Sequence, residues 1–259
     1  MVKRISYLIV EGPQDIAFVA RILKTFAIKV VNKKSSLNPF WNNLIPKTFP
    51  VDDDLLKRVP IPAFFESDAH SIAIHAAQGL PRLVKTLEET RAILDFEKIS
   101  SYGFLLDADD TQTPVQRFNN LLSELQKSPI NIPLSANPGE IVGSAPSFGV
   151  FILPDNQNPG TLEDILLQAA QVNYSQLFMA AGTFIQSVDK NQLVPKDIVE
   201  FNKPSGDKKA RVSSISSILK PGRAIQNSIQ DNRWLDGEAM NLPVMQSVSV
   251  FLQQLLDLK

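Results

Sequence analysis

The chain has no cysteine, which excludes a disulfide framework, thiolate zinc sites, iron–sulfur clusters and a cysteine nucleophile. His70 and His75 are its only histidines, too few for a multi-histidine metal cage and a poor basis for a histidine-dependent triad. Glycine is scarce, 11 residues against 18 prolines, and neither G-x-x-x-x-G-K-[ST] nor G-x-G-x-x-G occurs. A surplus of basic charge is also missing: 26 Lys and Arg stand against 27 Asp and Glu, a formal net charge of −1. That excludes a generally basic nucleic-acid coat but not a local basic groove. No apolar run approaches the ~18 residues that would span a bilayer. The N-terminal apolar run ends at Val10 before Glu11, too short for a signal-peptide core. The expectation is a soluble, cytoplasmic protein without a membrane segment. With 259 residues, 44% hydrophobic and 20% charged, it is one large globular domain or two small ones.

What is present reads as alternating strands and helices. Ile5–Val10 is a β-branched apolar run closed by Glu11-Gly12-Pro13, a buried strand followed by a tight turn. Pro13 suits a first helical turn, and Ile16, Val19, Ile22 and Leu23 recur at helical spacing. Residues 27–70 read as an irregular insertion with a short helix near Asp54–Arg58; the Asp52-Asp53-Asp54 run there reads as a solvated turn. Ser71–His75 is a second strand, and Leu80, Leu83, Val84 and Leu87 mark a second helix ending near Phe96. Tyr102–Leu106 is a third strand, closed by Asp107-Ala108-Asp109-Asp110-Thr111. Pro114–Gln126 is an amphipathic helix carrying Val115, Phe118, Leu121, Leu122 and Leu125. Asn131–Ser147 is loop with one short strand, and Phe148–Leu153 is a fourth strand ending at Pro154-Asp155-Asn156. A capping pattern opens a helix at Thr161. The remainder is helical, at about 173–189, 194–200, 207–219 and 242–257.

Four strands alternating with helices imply an α/β fold: a parallel sheet of about four strands with helices on both faces. Residues 1–172 form that core, with the insertion at 27–70, and 173–259 form a helical C-terminal extension packed on it. Ligands of such sheets sit beyond the carboxyl ends of the strands. Glu11, Asp107, Asp109 and Asp155 all follow strands and gather on that rim. Unpaired carboxylates ~4 Å apart repel by about 4 kcal/mol per pair at an effective dielectric of ~20. A cation, or a proton retained by one member, relieves this. Oxygen-only ligands favour Mg²⁺ or Mn²⁺ over zinc and leave positions for phosphate oxygens, the setting of metal-assisted phosphoryl transfer or phosphodiester cleavage.

This arrangement resembles the Toprim domain (Rossmann-like), which topoisomerases, primases, recombination proteins and overcoming-lysogenization-defect nucleases share. The resemblance rests on Val10-Glu11-Gly12 with Asp15, on Leu106-Asp107-Ala108-Asp109, and on the turn Ala77-Gln78-Gly79-Leu80-Pro81. Pro154-Asp155-Asn156, then Gly160-Thr161-Leu162-Glu163-Asp164, and Asp207-Lys208-Lys209-Ala210-Arg211-Val212 look like a small bacterial and archaeal family with a Toprim-like core. It implies a Mg²⁺- or Mn²⁺-dependent nuclease or nucleic-acid-processing protein. Glu11 would be general acid/base or metal ligand, and Asp107 and Asp109 would hold the metal. Asp15, Asp155 and Glu163 are further candidates, and Lys208 or Lys209 would touch a phosphate or developing charge. Nuclease-type relatives carry an ATPase domain; here that partner would come from another chain.

Plainer roles compete. Glu11, Asp107 and Asp109 can cap the helices that follow them. Asp155 sits in a turn sequence, Glu163 fits a capping box, and Lys208 and Lys209 suit a solvated helix face. Trp41 and Trp234 suit packing rather than base stacking. Two other functions compete as well. Asp107-Ala108-Asp109-Asp110-Thr111 matches the D-x-D-x-T pattern of haloacid-dehalogenase-like phosphatases, with Asp107 as nucleophile and Asp109 as general acid. In those proteins the motif usually opens the fold, and a later paired-acid motif is missing here. The other is a non-enzymatic interaction protein with a vestigial metal site.

Overall fold

The strand at Ile5–Val10 offers no polar face, because Tyr7 and Ile9 alternate with Leu8 and Val10 and all four are buried. Such a strand needs cover on both sides. In the computed structural model, which describes residues 3–48, 53, 60–77, 79, 82–130 and 132–259, it is β1 (Arg4–Val10). β4 (His70–Ala76) and β5 (Ser101–Asp107) flank it in parallel, and β7 (Ser147–Leu153) runs parallel beyond β5. These are the four strands expected from the apolar runs.

Among the described residues the sheet nevertheless has seven strands, in the order β2-β3-β4-β1-β5-β7-β6, so the expected four form only its parallel centre. The insertion at 27–70 supplies β2 (Lys29–Val30) and β3 (Ala63–Glu66), and the loop before β7 supplies β6 (Ile141–Val142). All three pair antiparallel: β3 on β4, β2 on β3 and β6 on β7. The insertion is also fastened by Trp41. Its ring is fully buried beside Phe64 and Tyr7, and its Nε1–H donates to Ser71 Oγ at 2.9 Å. The helix expected near 54–58 and most of the Asp52–Asp54 run lie outside the described residues.

Helices cover both faces. α2 (Leu83–Ile93) and α3 (Pro114–Lys127) pack against Tyr7, Ile9, Phe104 and Phe148. α1 (Pro13–Thr25) and α4 (Leu162–Asn173) pack against Leu8, Val10, Leu105 and Phe151 on the other face. The C-terminal helices α5 (Ser175–Ser187), α6 (Gly206–Leu219), α7 (Ile225–Asp231) and α8 (Pro243–Leu256) contribute to this second layer. α7 lies against α1, where Arg21 Nη1 donates to the Gln230 carbonyl at 2.8 Å. The helix expected at 194–200 is only a 3₁₀ turn at Pro195–Asp197. Those residues are exposed, so no buried stripe supports a longer helix.

α8 approaches the sheet unusually closely. A Cβ on Gly103 would lie 2.5 Å from Gly149 O and 2.8 Å from Leu255 Cδ2, and one on Gly149 would lie 2.9 Å from Phe251. Adjacent glycines on β5 and β7 thus make the groove that admits Phe251 and Leu255. Gly103→Ala should therefore cost about 1–3 kcal/mol through overpacking, read as a lower urea midpoint at unchanged slope. An unchanged midpoint would contradict the close packing.

The direction in which the chain winds across the sheet reverses between β1 and β5. β1 feeds α1 on one face and β5 feeds α3 on the other. Beyond the carboxyl ends of these two strands lies the topological switch point, the place where open α/β sheets bind ligands in a crevice.

Candidate functional site

The sequence loads that crevice with acid. Glu11 follows β1, Asp107 ends β5, Asp15 lies in the first turn of α1 and Glu163 in that of α4. Glu11 Oε1 accepts from the Asp107 backbone N–H at 3.0 Å, joining the two strand ends directly. Asp107 Oδ1 accepts from Leu162 N–H at 2.8 Å, so the strand-end acid sits at the positive end of α4. Asp15 Oδ2 accepts from Gly12 N–H at 2.7 Å and closes the start of α1. The turn at Gly79, whose φ of +110° suits glycine, donates its N–H to the Glu11 carbonyl at 3.2 Å. Gln78, Leu80 and Pro81 of that turn lie outside the described residues.

The capping box at α4 differs from the expected one. Asp164, not Glu163, accepts from Thr161 N–H at 2.8 Å. Glu163 is left 6% exposed on the buried side of the same turn, within electrostatic reach of Asp15 and Asp107. The Thr161 hydroxyl, 1% exposed, has no hydrogen-bond partner in the structure. It sits between Gly160, whose N–H bonds to Asp109 O, and Leu162, whose N–H bonds to Asp107.

Burial first, and neighbouring negative charge after it, sets the protonation preferences here. Burial pushes the Asp15 carboxyl up to about 7, and the neighbouring Glu11 and Glu163 charges add to this against the Gly12 hydrogen bond. Asp107 is raised well above the usual carboxylate range by burial, then by Asp15, Glu11 and Glu163. Glu11 is raised by burial despite the adjacent Arg117.

Two cations frame the group. Arg117, on the stripe of α3 that buries Pro114, Phe118, Leu121 and Leu125, is 4% exposed. Its Nε–H donates to the Asp107 carbonyl at 2.9 Å. Nη2 lies 3.0 Å from Glu11 Oε1 and 3.3 Å from Asp109 Oδ2. Thr113 and Gln116 form a reciprocal capping box, with bonds of 2.9 and 3.2 Å, that fixes the first turn of α3 beneath it. Lys208 joins Asp110 to Asp164, the latter at 2.8 Å. Burial would lower its pKa, but the bonds to Asp110 and Asp164 hold it above the ordinary lysine value.

The sequence-derived candidates thus divide. Glu11, Asp15, Asp107 and Glu163 come together, with Asp109 joined to them through Arg117. Asp155 does not join: its carboxylate accepts from the Gln157 and Asn158 amides at 3.0 and 2.8 Å, closing its own turn. Lys208 reaches the rim, whereas Lys209 is exposed beside it. His70 begins β4 at the opposite edge, and His75 Nδ1 is hydrogen-bonded to the Tyr7 hydroxyl at 2.8 Å. Trp234 is a buried packing residue whose Nε1–H donates to Ser228 Oγ. Sequence reasoning missed Arg117. Its signal was a lone arginine in register with the apolar stripe of α3.

The donor set suits a hard divalent cation: several buried carboxylates, an orphaned hydroxyl and no sulfur or imidazole ligand. Among the described residues, however, no three His, Asp or Glu side chains already converge as a metal shell. Arg117 occupies Glu11 and Asp109 instead. Among the described residues, no helix is long and apolar enough to cross a membrane.

Fold and rim together define a mixed α/β protein with an open sheet, parallel at its centre, and an acidic crevice at the switch point. The chain belongs to the family described as "Protein of unknown function (DUF3226)", whose profile matches residues 5–257. The crystal structure of hypothetical protein PH0156 from Pyrococcus horikoshii OT3 is similar in fold. It shares 19% sequence identity over 97% of this chain and 95% of that one, with a TM-score of 0.52. No curated protein matches.

The raised carboxyls set a pH dependence. The folded Asp15 carboxyl titrates near 7, against an ordinary value of 3.8. The folded state therefore binds the proton more tightly, and this contribution to stability is lost as pH rises from about 4 through about 7. In chelator, the melting temperature of the wild type should fall by several degrees more between pH 5 and 8 than that of Asp15→Asn. The amide oxygen introduced by this substitution keeps an acceptor for Gly12 N–H. Parallel profiles for the two proteins would show that Asp15 is not held protonated.

Proposed function

We propose that this protein is a divalent-metal-dependent, Toprim-like protein that acts on nucleic-acid phosphodiesters. One observation carries the reading. The ends of β1 and β5 are joined at the switch point by the bond from Asp107 N–H to the Glu11 carboxylate, with Glu11, Asp15 and Glu163 all in electrostatic reach of the Asp107 carboxyl.

In this reading Glu11, Asp107 and Asp109 would hold Mg²⁺ or Mn²⁺, with Asp15 and Glu163 behind them. When bound, the ion supplies charge neutralisation for phosphoryl oxygens and acidifies a water. The chain's own groups do the rest. Leu162 N–H and the α4 dipole fix Asp107, and the Asp107 amide fixes Glu11. The Glu11 carboxyl, raised by burial, would exchange a proton at the reacting phosphate. Lys208, anchored by Asp110 and Asp164, offers a cation to a backbone phosphate at the rim. A haloacid-dehalogenase-type nucleophile fits less well. The D-x-D-x-T motif of such phosphatases usually opens the fold, whereas here it follows β5, behind β1, α1 and the insertion. With a net charge of −1, binding to nucleic acid would be local, and a separate ATPase or other partner subunit would supply further affinity.

The test is cleavage of supercoiled plasmid and of a single-stranded oligonucleotide in Mg²⁺ or Mn²⁺. Asp107→Asn keeps the acceptor for Leu162 N–H but loses the charge. Metal-dependent cleavage by the wild type, reduced at least about 100-fold in Asp107→Asn, is expected for a group that stabilises developing charge. Equal activity in both proteins, or none in either, would contradict the reading.

A further inference from the structure

Arg117 is a costly residue for its place. Every other buried position on its stripe of α3 is apolar or proline, and desolvating a guanidinium takes several kcal/mol. A leucine there would continue the stripe. The guanidinium instead spans the two strands that border the crevice, touching Glu11 Oε1 after β1 and Asp109 Oδ2 after β5. Its Nε–H is tied separately to the Asp107 carbonyl. One cation thus serves a crevice that holds the carboxylates of Glu11, Asp15, Asp107, Asp109 and Glu163. Among the described residues no three of these carboxylates already converge as a metal shell, and Arg117 holds two of them. The buried, unpartnered Thr161 hydroxyl is a second sign that the crevice is incomplete in this state.

We propose that Arg117 is the resting counter-ion of the crevice and competes with a divalent cation for Glu11 and Asp109. This rests on the metal-dependent reading above and adds a regulation to it: loading of the site and retreat of the guanidinium are one equilibrium. Two cations cannot share the same carboxylate oxygens at close range without strong repulsion. Competition lowers the apparent metal affinity by the fraction of molecules in which Arg117 holds the ligands. The Nε tether to Asp107 O keeps the displaced guanidinium at the rim. There its planar fork suits a substrate phosphate better than an ammonium would. Metal arrival would thereby hand the arginine from carboxylate to phosphate.

The test is calorimetric titration of the full chain with MnCl₂ alone, comparing wild type, Arg117→Gln and Arg117→Lys. Arg117→Gln should bind Mn²⁺ about tenfold more tightly, the size expected for losing one partly buried ion pair, while its metal-free form melts lower. Arg117→Lys, which keeps a cation, should stay within about threefold of wild type, by the same arithmetic. Equal or weaker binding by Arg117→Gln would overturn the proposal, since Arg117 would then only position the ligands. Absence of Mn²⁺ binding by all three would overturn the metal reading and this proposal together. If Arg117→Gln does not fold, the wild type decides. Its Arg117 Nε–H resonance should shift as Mg²⁺ saturates, and a resonance unmoved at saturation would overturn the proposal.

Discussion

Bringing the Glu11, Asp15, Asp107 and Glu163 carboxylates into mutual reach is electrostatically unfavourable, and the local architecture is organised around relieving it. Backbone amides take the first share. Gly12, Asp107 and Leu162 each point an N–H at a carboxylate, two of them at the first turns of α1 and α4 where the helix dipole adds to the effect. Arg117 takes the second share from the opposite face of the sheet. Burial, and behind it the repulsion that remains, holds the Asp15 and Asp107 carboxyls above the usual range. A fold retains such a deficit at a functional site more readily than in a scaffold.

The switch point is what allows amides and arginine to converge. β1 and β5 are adjacent and parallel, yet their following helices leave on opposite faces. Amides of α1 and α4 therefore come from one side and the side chain of α3 from the other. The same topology leaves the loop at Asp107–Asp110 suspended between two clamps, Arg117 through Asp109 and Lys208 through Asp110. Lys208 also holds Asp164, the cap of the helix whose first amide fixes Asp107. Rim carboxylates, caps and clamps are thus one connected set.

The four central strands were legible because burial on both faces writes an unbroken apolar run. The acids at their carboxyl ends were legible because parallel topology dictates where strand ends gather. The outer strands were not. β2 and β6 have two residues each and β3 has four, too few for a period to register, and their pairing depends on chain that is distant in sequence. Asp155 misled because an Asx turn and a metal ligand look alike until the turn amides are seen to consume the carboxylate. Glu163 and Asp164 exchanged roles because adjacent acids in a helix's first turn differ only in rotation about the axis. Arg117 went unread because charge alone does not reveal which arginine faces inward, although its register with Phe118 and Leu121 carried that information.

The proposed metal reading requires these carboxylates to share a divalent ion. Anomalous diffraction from crystals grown in MnCl₂ tests it most directly. The account predicts a manganese peak bonded to Asp107 and Glu11, with Arg117 withdrawn from Glu11. Data showing manganese only elsewhere, with the guanidinium still seated on Glu11 and Asp109, would contradict it.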